Sequence, residues 1–235
     1  MRSPLALLTV LVLLLAVPVR GASVTLVART LDRDGVTVAF PAITYDPPAD
    51  AAGDPAAVCA RMASAALGVT VDPVRDLVVV TGHRVVLKDP SDQHRLLKIY
   101  RPDRYDGERV AKYLQRDLGL ERFLRDQGLR VATIDRAPHL IERGVLRQER
   151  VRGTSLERLY PNGYPSGANP AIDRALARIA AVDRPLIGIV SRQSGLLLSN
   201  TVDCHDEVPL GIDVGYCRGN IFVEDETGDV VLIDW

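Results

Sequence analysis

The sequence predicts an α+β protein, and three observations carry that prediction. Short apolar runs separated by turn-forming residues recur between Ser23 and Tyr100, the pattern of short antiparallel strands. One long stretch, Asp106 to Gln127, places Val110, Tyr113, Leu114, Leu118, Leu120 and Leu124 on helical faces and stops at Gly128. The final stretch, Asn220 to Trp235, reads as a β-hairpin with its turn at Glu224 to Asp229 and an Asn and an Asp at its two ends.

Composition bounds what such a protein does. The chain is 47% hydrophobic and 25% charged with a net charge of -1, an ordinary globular balance with no general attraction to nucleic acid or anionic membrane. Its 235 residues suffice for one compact domain with a small attachment. Basic residues are nearly all Arg. Lysine occurs only at Lys88, Lys98 and Lys112, so each lysine is informative.

Taken in order, the chain opens with a leader. Met1-Arg2 precedes an apolar run from Leu5 to Val17, and Pro18-Val19-Arg20-Gly21-Ala22 follows. A basic start, a short apolar core and small residues make a secretory signal over residues 1–21, cleaved near Gly21. The run is short for a bilayer span, so the expected location is the periplasm or outside the cell. An uncleaved N-terminal anchor is the alternative. Cys59, Cys204 and Cys217 are an odd number for an exported chain. Either Cys204 and Cys217 form a disulfide that clips the loop before Asn220, or all three remain thiols. Their spacings with histidine match no zinc pattern, Cys204-His205 with Cys217 being the nearest approach, and no Gly-x-Ser-x-Gly hydrolase signature occurs.

Residues 22–72 read as a small ββα appendage. Ser23 to Leu31 and Val36 to Tyr45 are β-rich runs joined by Asp32-Arg33-Asp34-Gly35, and Ala56 to Leu67 is a short helix stopped at Gly68. Three short strands follow: Asp76 to Val80, Arg84 to Leu87 after Thr81-Gly82-His83, and His94 to Tyr100 with Lys98 between Leu97 and Ile99. After the long helix, Pro138 to Gly144 and the run from Val145 look like two more strands. Pro161 to Pro170 is a loop, and Ala171 to Val182 a helix that Pro185 breaks before it resumes over Leu186 to Val190.

Lys98 on a third strand, an acidic helix with Asp117 and Glu121 on one face, the phrase Glu149-Arg-Val-Arg-Gly153-Thr-Ser-Leu156, and Asn220 with Ile233-Asp234-Trp235 occur in one order. From Asp76 to Trp235 the chain thereby resembles the protein-kinase-like superfamily, nearest the aminoglycoside phosphotransferases and lipopolysaccharide-core sugar kinases. The resemblance implies a kinase-like domain over residues 73–235. Its small lobe, residues 73–152, would be a five-stranded antiparallel sheet with one helix, and residues 153–235 a large lobe cut short, since relatives continue well past Asp234.

It also implies roles. Lys98 would hold nucleotide phosphates, Glu121 (with Asp117 open) would orient Lys98, and Gln148 to Val151 would offer main-chain contacts to adenine. Asn220 and Asp234 would hold Mg²⁺ with ATP. The catalytic base is the main departure: five residues before Asn220 stands Gly215, and the nearest acid is Asp213, with His205 and Asp206 further upstream. A Gly-x-Gly-x-x-Gly phosphate loop is absent too, Gly82 alone standing in the first turn. The implied activity is ATP- and Mg²⁺-dependent phosphoryl transfer to a small molecule or sugar. The alternative is an exported, catalytically inactive pseudoenzyme that binds a ligand or partner protein, which the leader, the displaced acid and the short large lobe favour. A structural envelope protein is the third class.

Overall fold

The computed structural model of the protein describes residues 21–194 and 218–233, and the fold is α+β. The leader, Cys204, His205, Asp206, Asp213, Gly215, Cys217, Asp234 and Trp235 lie outside the described residues.

The N-terminal segment forms four short strands: β1 (Val24–Leu26), β2 (Arg29–Arg33), β3 (Val36–Phe40) and β4 (Ile43–Tyr45). β2 and β3 make a hairpin about Asp34-Gly35, whose φ angles of 50° and 81° are the left-handed values that Asp and Gly tolerate. β1 pairs antiparallel with β4 outside that hairpin. Each expected run is therefore two strands, the second divided at Pro41, which has no N–H for a ladder. Helix α1 (Pro55–Leu67) begins where Asp54 accepts from the Ala57 N–H at 2.9 Å, and ends at left-handed Gly68.

The central sheet comprises β5 (Leu77–Val80), β6 (Arg84–Lys88), β7 (Arg95–Tyr100) and, further along the chain, β9 (Val145–Glu149), in the order β5-β6-β7-β9 and all antiparallel. Between β7 and β9 come α2 (Gly107–Asp126), β8 (Arg130–Val131) and α3 (Pro138–Glu142). Thr133 to Asp135 add a short fifth track: the Glu149 N–H donates to the Thr133 carbonyl and the Asp135 N–H to the Arg147 carbonyl, each at 2.8 Å. One face of the sheet presents Val85, Leu87, Leu97, Ile99 and Val145, all 0% exposed, and α1 and α3 pack on this sheet.

Two expectations are corrected here. Pro138 to Glu142 is helix, not strand: a proline suits the first turn of a helix, and Leu140 and Ile141 are buried by that turn. Helix α5 (Pro170–Ser194) runs unbroken past Pro185. Its apolar stripe, Ile172, Leu176, Ile179, Val182, Leu186 and Ile189, keeps helical spacing through the proline and is buried. Burying Leu186, Ile189 and Val190, at about 1.5–3 kcal/mol each, offsets the roughly 3 kcal/mol cost of an interior proline.

After β9 the chain forms β10 (Gly153–Ser155) and α4 (Leu156–Leu159), and beyond α5 a 3-10 turn at Arg218–Asn220 leads into the hairpin β11 (Ile221–Glu224) and β12 (Val230–Leu232). These strands build a second sheet, β10-β11-β12-β8, in which β12 runs parallel to β8. The N-terminal segment shares its core with the rest. Phe40, Tyr45 and Val58 belong to the same buried cluster as Leu97, Leu114 and Ile221. Among the described residues no helix is long and apolar enough to cross a membrane.

Candidate functional site

In an antiparallel sheet, directly opposed residues point to the same face. The register pairs Val86 with Lys98 and Lys98 with Leu146, and likewise Arg84 with Tyr100 and Leu96 with Gln148. Arg84, Val86, Lys98, Tyr100, Leu146 and Gln148 therefore share the face opposite the apolar one. Lys98 is 9% exposed, and an ammonium at that depth needs an acceptor. Its Nζ donates to the carbonyl of Ile233 at 2.7 Å. The Nε2 of buried Gln148 donates to the same carbonyl at 2.9 Å. The Ile233 N–H in turn donates to the Asn220 carbonyl at 3.0 Å. The hairpin end is thus docked on the lysine face, with Asn220 across from the residue that precedes Asp234.

The acids of α2 divide differently from expectation. Glu121 does not meet Lys98: its carboxylate, 1% exposed, is held by Arg136 and by Arg125 one turn along the helix. The reason lies in the segment after β8, which carries Arg136 across α2, where it also donates to the Leu118 carbonyl at 2.7 Å. Burial pulls the Arg136 guanidinium below its usual pKa. Asp117, one turn earlier, faces β7. It accepts from the Tyr100 hydroxyl at 2.6 Å and from Arg116 Nη2 at 2.8 Å and Nε at 3.0 Å, while Arg116 Nη2 also donates to the Tyr100 oxygen at 2.8 Å. Burial pushes the Tyr100 phenol up. Burial opposes the charge on Arg116, yet Tyr100 and Asp117 hold its pKa above the ordinary value. Tyr100 stands two residues after Lys98, so this trio ties the lysine strand to α2.

A third cluster joins β8, β9 and β11. Arg130 donates through Nη1 to Glu149 Oε2 at 3.0 Å, pairs through Nη2 with Glu149 Oε1, and reaches Glu224 at 3.4 Å. Thr133 donates its N–H and hydroxyl to Glu149 Oε2, each at 3.1 Å. The Arg130 guanidinium, with these Thr133 donors, lowers the Glu149 pKa to about 2. A depressed carboxylate pKa stabilises the fold above the unfolded value, and that contribution vanishes as pH falls through the folded one. The urea midpoint of Glu149→Gln should therefore lie below that of the wild type at pH 7, and the two should converge between about pH 4.5 and 2. A gap unchanged across that window would show that the carboxylate's charge is not what stabilises the junction.

In the stretch from Gln148 to Val151, the Glu149 and Arg150 amides donate to the Thr133 and His94 carbonyls. The side chains of Gln148, Arg84, Tyr100 and Arg116 were not expected at the site. The signal for Gln148 and Tyr100 is strand alternation around Lys98, whereas Arg84 becomes visible only once the β6–β7 register is known. No protein-family model and no curated protein sequence matches this chain.

Proposed function

We propose that the lysine face is the nucleotide side of a kinase-like cleft, and that the protein is an ATP- and Mg²⁺-dependent phosphotransferase acting on a small molecule or sugar. The observation that carries this reading is the bond from Lys98 Nζ to the carbonyl of Ile233, with Asn220 beside it. It joins the strand lysine to the hairpin end where Asp234 follows, two places far apart in sequence. A five-track antiparallel sheet with α2 anchored to its third strand supports the same reading.

In this reading Lys98 holds phosphates and Asn220 and Asp234 offer the hard oxygen donors that suit magnesium, which would neutralise charge on the transferring group. The role expected of Glu121 passes to Asp117, which positions the lysine strand through Tyr100. Asp213 remains the candidate base. Gly215, at the place the resemblance reserves for that base, favours the second reading, an exported pseudoenzyme that binds through the same cleft.

Thermal-shift titration with ATP and Mg²⁺ or Mn²⁺ separates these. Ligand at about 100 times its Kd stabilises a protein by about 2.7 kcal/mol, a readily seen rise in Tm. The rise should require metal and disappear in Lys98→Ala and Asp234→Ala. Metal-dependent binding without phosphoryl transfer to any sugar or aminoglycoside acceptor would select the pseudoenzyme. No shift in folded wild-type protein would sink the nucleotide reading altogether.

A further inference from the structure

A hollow of about 220 Å³ opens between α1, the loop after β4 and the end of α3, and none of its lining residues belongs to the lysine face. On α1, Val58, Arg61, Met62 and Ala65 recur at the spacing i, i+3, i+4 and i+7, so one stripe of the helix lines it. Val58 and Met62, 1% and 7% exposed, give the hollow an apolar part, and Arg61 beside them is exposed. The loop contributes Asp46, Pro48 and Asp50, and Arg143 closes the set from the residue that ends α3.

The loop wall is held in place before any ligand arrives. Asp46 N–H donates to the Glu142 carbonyl at 2.7 Å, and the Ser23 hydroxyl donates to Asp46 Oδ1 at 2.5 Å. Asp50 Oδ1 accepts from the Ala52 N–H at 2.9 Å. Pro47 and Pro48 fix their own φ angles, and Pro47 lies so close to the start of α2 that a Cβ at Gly107 would meet its Cγ at 2.8 Å. The two cations are placed differently. Among the described residues the guanidiniums of Arg61 and Arg143 make no hydrogen bond and no ion pair, so their in-plane donors, which match a carboxylate in pairs, face solvent or a ligand.

We infer that this hollow is a second ligand site, for a small amino acid with an apolar body. Its carboxylate meets Arg61 and Arg143, its ammonium meets Asp46 or Asp50, and its hydrocarbon part lies against Val58 and Met62. Two arginines and two aspartates cancel in charge, so a ligand carrying both signs complements the lining better than a simple anion or cation. The volume sets the size, since it lies below the range of about 300–1,000 Å³ for pockets that take drug-sized molecules. The site does not depend on the nucleotide reading, and the failure of either leaves the other standing.

The test is calorimetric titration of wild type, Arg61→Gln and Arg143→Gln with L-leucine and ε-aminocaproate, which carry both charges, and with leucinamide and isocaproate, which carry one each. Both arginines are exposed, so the variants should keep the wild-type circular dichroism spectrum and Tm. Charge-assisted hydrogen bonds predict that at least one of the two amino acids binds, and that each arginine variant weakens it by about tenfold or more. Leucinamide and isocaproate should each bind the wild type about tenfold or more weakly than that amino acid does. Isocaproate binding as tightly as the amino acid overturns the inference, because the aspartates then contribute nothing. Binding that both arginine variants retain in full overturns it too, as does the absence of any binding of either amino acid to folded wild-type protein at millimolar concentration.

Discussion

Asp117→Leu is expected to lower stability by about 3–5 kcal/mol, because it strands a buried guanidinium and a buried phenol at once. Asp117 is 4% exposed, and its carboxylate accepts from Arg116 and from the Tyr100 hydroxyl. Asp117→Asn keeps an oxygen for Tyr100 but loses the charge facing Arg116, so its cost should fall between wild type and Leu. Urea denaturation followed by circular dichroism measures both. The ranking matters more than the absolute values. If Asp117 positions the lysine strand, Asp117→Asn should also weaken Mg²⁺–ATP binding, whereas Glu121→Gln should not, since Glu121 is held by Arg125 and Arg136. Loss of binding in Glu121→Gln with none in Asp117→Asn would return the positioning role to Glu121.

The same pair shows where the sequence was legible and where it was not. The helix over Gly107–Asp126 follows from apolar spacing and from Asp106 and Gly128 at its ends, all local signals. Asp117 and Glu121 lie four apart on one helical face, and no local rule separates them. What separates them is Arg136, fifteen residues further on and placed by the fold of the segment after β8. The hairpin of β11 and β12 was legible from its alternation and its Gly228-Asp229 turn, but not its docking on β7, which depends on contacts across the whole chain. Pro138 and Pro185 misled in opposite directions. The first starts a helix where a strand was expected, and the second sits inside one because the buried stripe on both sides outweighs its cost. The site residues on strands were half visible: Lys98 stands out in a lysine-poor chain, whereas Arg84 is one of many arginines until its register with Tyr100 is known.

Phe40→Ala is expected to cost about 3–5 kcal/mol, the range for deleting a buried aromatic ring, and to do so for the whole protein at once. Sequence alone set residues 22–72 apart as an appendage, and an appendage would unfold without disturbing the sheet that carries Lys98. The packing argues otherwise. Phe40 is 1% exposed and lies so close to α2 that a Cβ at Gly119 would meet its Cδ1 at 2.6 Å. Gln115 on the same helix donates to the carbonyls of Val27 at 3.0 Å and Pro41 at 2.7 Å, tying α2 to both ends of the β2–β3 hairpin. Since α2 also carries Asp117, loosening β3 should loosen the contact at Tyr100. Phe40→Ala is therefore expected to melt in one cooperative transition at lower temperature, with weaker Mg²⁺–ATP stabilisation. Two separated transitions, the upper one at the wild-type Tm with nucleotide binding intact, would show instead that the N-terminal strands are a separable module. The hairpin has a physical rationale here: with α5 packed on α2 and β2, it holds in place the helix whose Asp117 grips Tyr100 on the lysine strand.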